Sequence, residues 1–320
     1  MRKATLGLVV TALFALAAPA AAQPTGKTLT LIVPAGPGSA PDIVARVVGD
    51  QLQERLKQPV VIENRLGAGG IIAAESLRRA PADGNTLLLA QAAVVTVTPL
   101  TYRAATYDAE RDFETISVVA DTPMMFVAHP AKGPATLAEL LARAKAQPES
   151  VPMGSTSRGS IPNLTAELLG LMTGTRYNLV AMNASAQALQ SVVSGDTVVS
   201  VDGIAPLLPQ VRAGRLKALG VTSDRPLPGL EGLPLAKDTV PGLVATGWFM
   251  LFAPKGTPRA RVQAINAAVN DALKAPEVLQ KLQATANYPV GGSVEQAKAF
   301  LKKEKKLWGD AAERAGLKRE

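Results

Sequence analysis

The chain has 320 residues, of which 47% are hydrophobic and 4% aromatic, and it carries no cysteine. This length is sufficient for a large core and favours two domains, and the lack of cysteine excludes disulfides. Its formal charge is +8, but lysine and arginine are scattered and aromatic side chains are few, which argues against nucleic-acid binding. Beyond the N-terminal segment, no apolar run reaches the 18 residues expected of a membrane-spanning helix.

The first 22 residues have the pattern of a Sec-type signal peptide. A basic start, Met1-Arg2-Lys3, is followed by an apolar run from Leu6 to Ala18 and by the A-x-A site Ala20-Ala21-Ala22. The short apolar run and the small residues after it disfavour a membrane anchor, and a lipoprotein would need a cysteine. We therefore expect a mature, periplasmic chain whose formal charge is lower by two, at +6.

Strand-like and helix-like segments alternate along the mature chain, which predicts an α/β fold with largely parallel strands. In chain order, the predicted strands cover residues 29–32, 59–62, 86–90, 198–201 and 217–222. Helices are predicted to begin near Ile43 and to cover residues 71–79, 137–146, 164–172, 186–193 and 258–274, with a last helix after Ser293.

Several helix starts carry capping signals. Thr136 and Ser293 are followed three residues later by Glu139 and Gln296, the spacing of a capping box. Thr257-Pro258 predicts an N-cap followed by a first-turn proline. In the last helix, the run Lys302-Lys303-Glu304-Lys305-Lys306 is expected to form a solvated face.

One six-residue pattern occurs twice. Residues 38–43 read GSAPDI and residues 159–164 read GSIPNL, so both follow Gly-Ser-x-Pro-Asx-aliphatic, and each directly precedes an apolar helical run. Chance similarity is the competing explanation. The functional interpretation is that two lobes each present a helix N-terminus to a shared cleft, where unpaired N–H groups and the helix dipole attract a carboxylate or phosphate.

Motifs for catalysis are absent from the sequence. Pro41 stands where a dinucleotide loop would have its third glycine, and there is no phosphate-binding G-x-x-x-x-G-K-[ST]. Neither G-x-S-x-G nor S-x-x-K occurs, and His129, the only histidine, is expected to be a surface or hinge residue. We expect no metal and no cofactor, while spacing alone does not decide on paired catalytic carboxylates. The hydroxyl-rich loop 155–160, with its cation Arg158, has the composition of a binding loop.

Seven short motifs follow one another along the mature chain. They are IVPAGPGSAPD at 32–42, IENRLGAGG at 62–70, ADGNTLL at 82–88, RDF at 111–113, AGRLKAL at 213–219, Trp248 and APKGTP at 253–258. With these motifs the chain resembles, over nearly all of its mature length, the Bug-type extracytoplasmic solute receptors, the binding components associated with tripartite tricarboxylate transporters. The first two motifs correspond to the family's I-V-P-F-P-P-G-G-x-T-D and V-E-N-R-P-G-A-G-G.

The resemblance implies a two-lobe type II periplasmic binding protein fold with a hinge and an interlobe cleft that closes on a small carboxylate. We expect lobe 1 to comprise residues 23–124 and 249–320, and lobe 2 residues 125–248. The implied ligand-binding residues are Ala35, Gly36, Gly38, Ser39, Asp42, Gln91, Ser155, Thr156, Ser157, Arg158, Ser160, Asn163, Asn183 and Asp202. A monomer that serves a membrane permease or a sensor kinase is expected.

The chain departs from the family pattern near this inferred cleft. Ser39 replaces a glycine, Pro41 replaces a threonine and removes a backbone donor, and Asn163 stands where histidine is usual. The family's V-P-Y-K-G-S is here VAMNAS at 180–185, without the tyrosine and lysine. These departures concern the ligand more than the fold.

Three residues have two interpretations each. Asp42 either caps the first helix or contacts the ligand. Arg65 either contacts ligand or holds its own loop through Glu63 or backbone carbonyls, and the second is favoured. Trp248 is expected to pack in the hinge or core rather than to stack on a ligand.

Two functions other than solute binding are compatible with the same fold. A periplasmic hydrolase-like enzyme on the same fold would depend on His129 or Asp202, and the single histidine argues against it. An effector-sensing domain of a transcription regulator shares the fold, but the signal-like N-terminus and the lack of a DNA-binding module oppose it.

Overall fold

The computed structural model describes residues 27–319, so the predicted signal peptide lies outside the described residues. The strands are β1 (Leu29–Val33), β2 (Val60–Asn64), β3 (Thr86–Gln91), β4 (Phe113–Ala128), β5 (Pro152–Ser155), β6 (Asn178–Ala181), β7 (Val199–Gly203), β8 (Lys217–Val221), β9 (Thr246–Pro254) and β10 (Tyr288–Pro289). The longer helices are α1 (Ala40–Leu56), α2 (Ile71–Arg79), α6 (Leu137–Ala146), α7 (Ile161–Thr173), α8 (Ser185–Ser194), α9 (Ile204–Arg212), α11 (Arg259–Ala272), α12 (Pro276–Ala284) and α13 (Val294–Arg314). Short helices are α3 (Ala92–Thr96), α4 (Thr98–Thr101), α5 (Ala109–Asp112) and α10 (Ala236–Thr239), and a 3₁₀ turn covers Ala68–Gly70.

The strands form one continuous, curled sheet in the order β2-β1-β3-β9-β4-β7-β5-β6, with β8 and β10 also pairing with β4. β1 runs parallel to β2 and β3, and β5 runs parallel to β6 and β7. The antiparallel strands β4 and β9 lie between these two parallel sets. The predicted α/β, two-lobe architecture is therefore confirmed. The expectation of largely parallel strands was wrong, because β4 and β9 make antiparallel pairings with all of their partners.

Strand β4 links the two halves of the sheet because its partners change along its length. It pairs with β9 from Phe113 to Pro123 and with β7 from Met124 to Ala128. The pairing with β9 has register shifts, at Thr115/Ser117 and Val118/Ala120, that bend the ladder. One chain segment thus belongs to both halves, which is the geometry that a hinge requires.

Helices cover both faces of the first parallel set. Leu29, Leu31 and Val33 of β1 are fully buried in one cluster, together with apolar residues of α1 and α11. Ile32 points the other way and packs in a second cluster with residues of α2. Burial on both faces explains why β1 is apolar at every position except Thr30 instead of alternating between apolar and polar residues.

Most capping signals in the sequence mark true helix starts. α2 and α6 have the predicted bounds, Thr136 accepts the Glu139 amide, and Ser293 with Gln296 forms a complete capping box. The prediction for Thr257 was wrong, because its hydroxyl donates to the Pro254 carbonyl (2.8 Å) and α11 begins only at Arg259. Among residues 27–319, no helix is both long and apolar enough to cross a bilayer.

The expectation of a fully solvated face at 302–306 was also wrong, because Glu304 is buried. Its Oε2 atom accepts the indole N–H groups of Trp248 and Trp308, both at 2.9 Å. Glu304 lies at helical spacing from the buried Leu301 and Trp308, so it belongs to the inward face of α13. Burial raises the pKa of Glu304, although the two indole donors oppose that effect.

Candidate functional site

The loop before α1 is held by the carboxylate of Asp42. Gly38, at φ +78°, donates its amide to Oδ2 of Asp42 at 2.9 Å. Asn64 Nδ2 and Arg46 Nε donate to the same carboxylate, each at 2.9 Å. Asp42 therefore joins the loop, the end of β2 and α1 in one buried cluster.

The electrostatics of Asp42 follow from these contacts. The hydrogen bond from Arg46 lowers its pKa to about 2, with the Gly38 amide and Asn64 adding to the effect and burial opposing it. Asp42 is only 1% exposed. The carboxylate therefore secures the loop through Gly38, which lies before the helix, and its oxygens are already engaged by protein donors.

The first turn of α1 has no side-chain cap. Ser39 occupies the N-cap position, but its hydroxyl donates to the Gly36 carbonyl at 2.6 Å and makes no capping bond. Pro41 has no N–H group to offer. The amides of Ala40 and Asp42 belong to the first helical turn, where amides lack intrahelical acceptors, so this end of α1 is suited to an anion.

In the loop before α7, a glycine amide again donates to a side chain four residues later, but this side chain is neutral. Gly159, at φ +80°, donates its amide to Oδ1 of Asn163 at 3.0 Å. Asn163 Nδ2 in turn donates to the hydroxyl of Ser155 at 3.1 Å. Ser160 caps α7, because its hydroxyl accepts the Asn163 amide at 3.3 Å. The recurrence seen in the sequence is thus a recurrence of structure, and each copy opens a helix.

The N-terminal ends of α1 and α7 meet at a cavity of about 350 Å³. That volume is at the lower end of the roughly 300–1,000 Å³ typical of small-molecule sites. The cavity is lined by Ala40, Pro41, Gln91, Ala92, Ala93, Thr122, Met124, Ser160, Ile161, Pro162, Asp202, Gly203, Ile204, Ala205, Pro206, Gly247, Trp248, Phe249, Thr285, Ala286 and Asn287. We call this space the central cavity. Among the described residues that line it, none is lysine or arginine.

A second cavity of about 700 Å³ adjoins the central cavity. The two share Gln91, Ala93 and Ser160. The larger cavity lies between the glycine turn at 66–70 and residues 157–160, with residues 316–318 along its side. Gln91, at the end of β3, and Ser160, before α7, are therefore the two predicted site residues that line both cavities.

Arg158, the cation of the serine-rich loop, makes intramolecular hydrogen bonds although it is exposed. Its Nη2 atom donates to the carbonyls of Ala315 at 2.8 Å and Gly316 at 3.3 Å, just after α13. Cations are favourable at this end of a helix, where the last carbonyls are unpaired. Arg158 lines the larger cavity but not the central one.

The other predicted residues occupy three kinds of position. Ala35 and Gly36 present carbonyls to Asn64 and Ser39, so they shape the first loop. Thr156 shares a hydrogen bond with the Ser160 hydroxyl at 2.7 Å, while Ser157 is exposed beside the larger cavity. Asn183 is exposed and lines neither cavity.

Asp202 stands out in the central cavity because it is a buried acid. It lies near the end of β7, is 6% exposed, and accepts the Gly203 amide at 2.7 Å through Oδ1. Burial raises the pKa of Asp202, and the Ser185 hydroxyl and the Gly203 amide act in the opposite direction.

Apolar residues from the crossing strands complete the site, and among them the sequence carries a local signal only for Trp248. Met124 of β4 and Trp248 and Phe249 of β9 line the central cavity, as does Ile204 at the start of α9. Trp248 is 1% exposed and its ring packs edge-on against Phe300 at a centroid distance of 5.5 Å. It is therefore a packed hinge residue, as expected, that also lines the central cavity.

The remaining candidates for chemistry have structural roles. Arg65 Nε donates to Glu63 at 2.7 Å, which confirms the favoured interpretation of that residue. His129 follows β4 and its Nδ1 atom accepts the amides of Ala131 and Lys132, each at 3.1 Å. Within residues 27–319, no group of three or more potential metal ligands comes together.

Comparison with known proteins places this geometry in a family. A family model described as "Tripartite tricarboxylate transporter family receptor" (TctC) matches residues 44–317. Protein BugT of Bordetella pertussis is 31% identical over 318 residues, which covers 98% of this chain and 97% of BugT. These matches extend over both halves of the sheet.

Solved structures agree with the family match. The structure titled "R. palustris Rpa4515 with adipate" has a TM-score of 0.78 and 30% identity, and the match covers 92% of this chain and 99% of that one. "MatC (Rpa3494) from Rhodopseudomonas palustris with bound malate" has a TM-score of 0.72 and 27% identity, with 89% and 98% covered. The titles of these two structures name adipate and malate as the bound molecules. This chain belongs to the tripartite tricarboxylate transporter receptor (TctC) family, which includes the Bug proteins, and is a solute-binding protein.

Proposed function

We propose that this protein is a periplasmic receptor that captures a small organic acid between its lobes. The observation that carries this proposal is the meeting of two helix N-termini at one cavity. Ala40 and Pro41 of α1, and Ile161 and Pro162 of α7, all line the central cavity. Amide N–H groups and helix dipoles at such ends favour a carboxylate.

The composition of the cavity agrees with recognition by backbone rather than by charged side chains. Among the described residues of its lining, no lysine or arginine is present. The cation of the serine-rich loop, Arg158, is bonded to carbonyls after α13. A carboxylate would thus be held by amides, hydroxyls such as that of Ser160, and bridging water molecules.

The ligands named for similar structures support the same class. The titles of the Rpa4515 and MatC structures name adipate and malate, both dicarboxylates. The chain matches each of them over nearly its whole described length. We therefore propose a small mono- or dicarboxylate as the ligand class.

Closure of two lobes is the proposed mechanism of capture. We assign residues 23–124 and 249–320 to lobe 1 and residues 125–248 to lobe 2. The change of β4 partners between Pro123 and Met124 supports this boundary. A ligand that contacts both α1 and α7 would favour the closed arrangement over the open one. A membrane permease or a sensor kinase would then recognise the closed monomer.

The first test is a calorimetric and thermal-shift screen of the mature protein with mono- and dicarboxylates. The neutral amides of the same carbon skeletons, monoamides for monocarboxylates and diamides for dicarboxylates, are the matched control ligands. A carboxylate that binds should raise the melting temperature by mass action, whereas its amide should not. Failure of every carboxylate to bind would contradict the proposal.

A variant can test the contribution of the α1 amides. Ala40→Pro removes one first-turn N–H, and the preceding Ser39, with ψ 163°, already has the extended geometry that a following proline requires. We expect at least tenfold weaker carboxylate binding with little loss of stability. Arg259→Pro, at the same position of α11, is the matched control and should leave binding unchanged.

A further inference from the structure

One residue that lines the central cavity has a buried carboxylate oxygen without a partner. Among the described residues, three buried side-chain oxygens make no hydrogen bond: Asp121 Oδ1, Asp202 Oδ2 and Gln210 Oε1. Of these three residues, only Asp202 lines the central cavity. Its other oxygen, Oδ1, is already bonded to the Gly203 amide.

An orphaned acceptor of this kind is unfavourable in a folded protein. A buried polar atom without a partner loses its hydrogen bonds to water and gains none in return, and the cost is greater when the atom is charged. The surroundings of Asp202 offer little compensation, because the described lining includes Met124, Ile161 and Ile204 but no cation. Ser185 lies near the carboxylate, yet no well-aligned hydrogen bond joins the two. The arrangement is therefore completed best by a donor that arrives from the cavity.

The same carboxylate would disfavour a ligand that is only an anion. Asp202 is the one charged side chain in the described lining, and its burial strengthens its effect on any charge nearby. A second carboxylate of the ligand would be repelled from this end of the cavity. An ammonium group or an N–H would instead be attracted to Oδ2.

We propose that Asp202 selects ligands that carry a nitrogen-bound hydrogen-bond donor as well as a carboxylate. This inference rests on the proposed function, because it places the ligand's carboxylate at the N-termini of α1 and α7. The donor end lies at Asp202, and the apolar walls between them accommodate a carbon skeleton. Amino acids and N-acylated amino acids share this chemistry and differ only in whether the donor is charged.

Calorimetry with matched ligands tests the proposal. The first pair is glutamate and glutarate, and the second is phenylalanine and 3-phenylpropanoate; in each pair the members differ mainly in the amino group. We expect at least one amino acid to bind about tenfold or more tightly than its deaminated partner, since hydrogen bonds to charged groups are the strong ones. N-acetyl derivatives separate the two sources of the donor, because they keep the N–H but lose the charge.

Asp202→Asn supplies the matched change in the protein. It keeps an oxygen for the Gly203 amide but removes the charge, so the preference for the amino acid should fall to near unity while deaminated acids bind equally or more tightly. The unliganded variant should melt no lower than the wild type, because an uncompensated buried carboxylate has been removed. Asp196→Asn, an exposed acid of the same lobe, should change neither quantity.

The outcomes separate this inference from the proposed function. Equal binding of glutamate and glutarate, unaffected by Asp202→Asn, would overturn the role of Asp202 and leave carboxylate capture intact. A clear loss of stability in unliganded Asp202→Asn, with unchanged ligand preference, would assign Asp202 a purely structural role and also overturn the inference. Failure of all acids to bind would contradict both.

Discussion

The loops before α1 and α7 have nearly the same backbone but different side-chain chemistry. Gly38 and Gly159 have φ values of +78° and +80°, and each donates its amide to a side chain four residues later. In the first loop that side chain is the Asp42 carboxylate, paired with Arg46. In the second it is the neutral Asn163, bonded to Ser155.

One loop geometry can therefore be stabilised either by an ion pair or by neutral hydrogen bonds. The ion-paired version depends on pH and leaves its helix uncapped, since Ser39 bonds to Gly36 instead. The neutral version includes the Ser160 cap on α7. We therefore expect the first loop to offer more free amide donors and the second to be less sensitive to acid.

The largest expected contrast comes from removing the two side chains that accept the glycine amides. Asp42→Ala should destabilise the protein by about 3 kcal/mol, because Gly38, Arg46 and Asn64 all lose a buried partner. Asn163→Ala should cost about 1–2 kcal/mol, since fewer and neutral bonds are lost. Urea unfolding of both variants measures the difference, and equal losses would contradict the assignment of distinct chemistries.

Of the two loops, only the one before α1 should lose stabilisation in acid. The pKa of Asp42 is lowered from 3.8 to about 2 in the folded protein. The unfolded chain therefore takes up this proton at higher pH, so the stabilisation is present above about pH 4 and is lost as the pH falls toward 2. Melting temperatures from pH 5 to 2 should fall less steeply in Asp42→Asn than in the wild type. Asn163→Ala is the control and should keep the wild-type slope.

Replacing either Gly38 or Gly159 by alanine should reduce the stability of the protein by a similar amount. The loss should be slightly larger at Gly159. Both have positive φ, so Gly38→Ala and Gly159→Ala should each cost about 1 kcal/mol. A Cβ atom at Gly159 would also lie 3.3 Å from Leu317 Cδ1, whereas one at Gly38 would meet no atom within 4 Å. Denaturant midpoints of both variants test this order. Gly232→Ala, where a Cβ also has free space and φ is not positive, should be nearly neutral.

The smallest contrast concerns the two serines. Ser160→Ala removes a helix cap and should cost about 1 kcal/mol. Ser39→Ala removes only a bond to the Gly36 carbonyl at the rim of the loop and should cost less than about 0.5 kcal/mol. Thermal unfolding of the two variants measures the difference. A larger loss for Ser39→Ala would show that this hydroxyl has a role beyond the bond to Gly36.

These two loops were predictable because residues close together in the sequence determine their structure. A glycine at positive φ, a proline in the first helical turn and an Asx side chain that reaches back four residues all act within six positions. The same is true of the helix starts at Thr136 and Ser293, which the capping pattern predicted. Local patterns of this kind need no knowledge of the tertiary fold.

Contacts between distant segments could not be predicted in the same way. The residues around Arg158 do not indicate that its acceptors lie 157 and 158 residues away, after α13. Glu304 sits in a run of lysines that suggests solvent, yet it bonds to Trp248, 56 residues earlier in the chain. The apolar lining of the central cavity likewise depends on how β4 and β9 cross.

The pairing of Trp248 and Trp308 on Glu304 equips the protein with an intrinsic optical probe. These are the chain's two tryptophans, and only Trp248 lines the central cavity. Because both indole N–H groups share one carboxylate oxygen, a shift of β9 against α13 would alter the polarity around both rings. We therefore expect ligand capture to change the tryptophan emission, with Trp308→Phe isolating the signal of the cavity residue. The hinge of this receptor can thus be followed in solution without an added label.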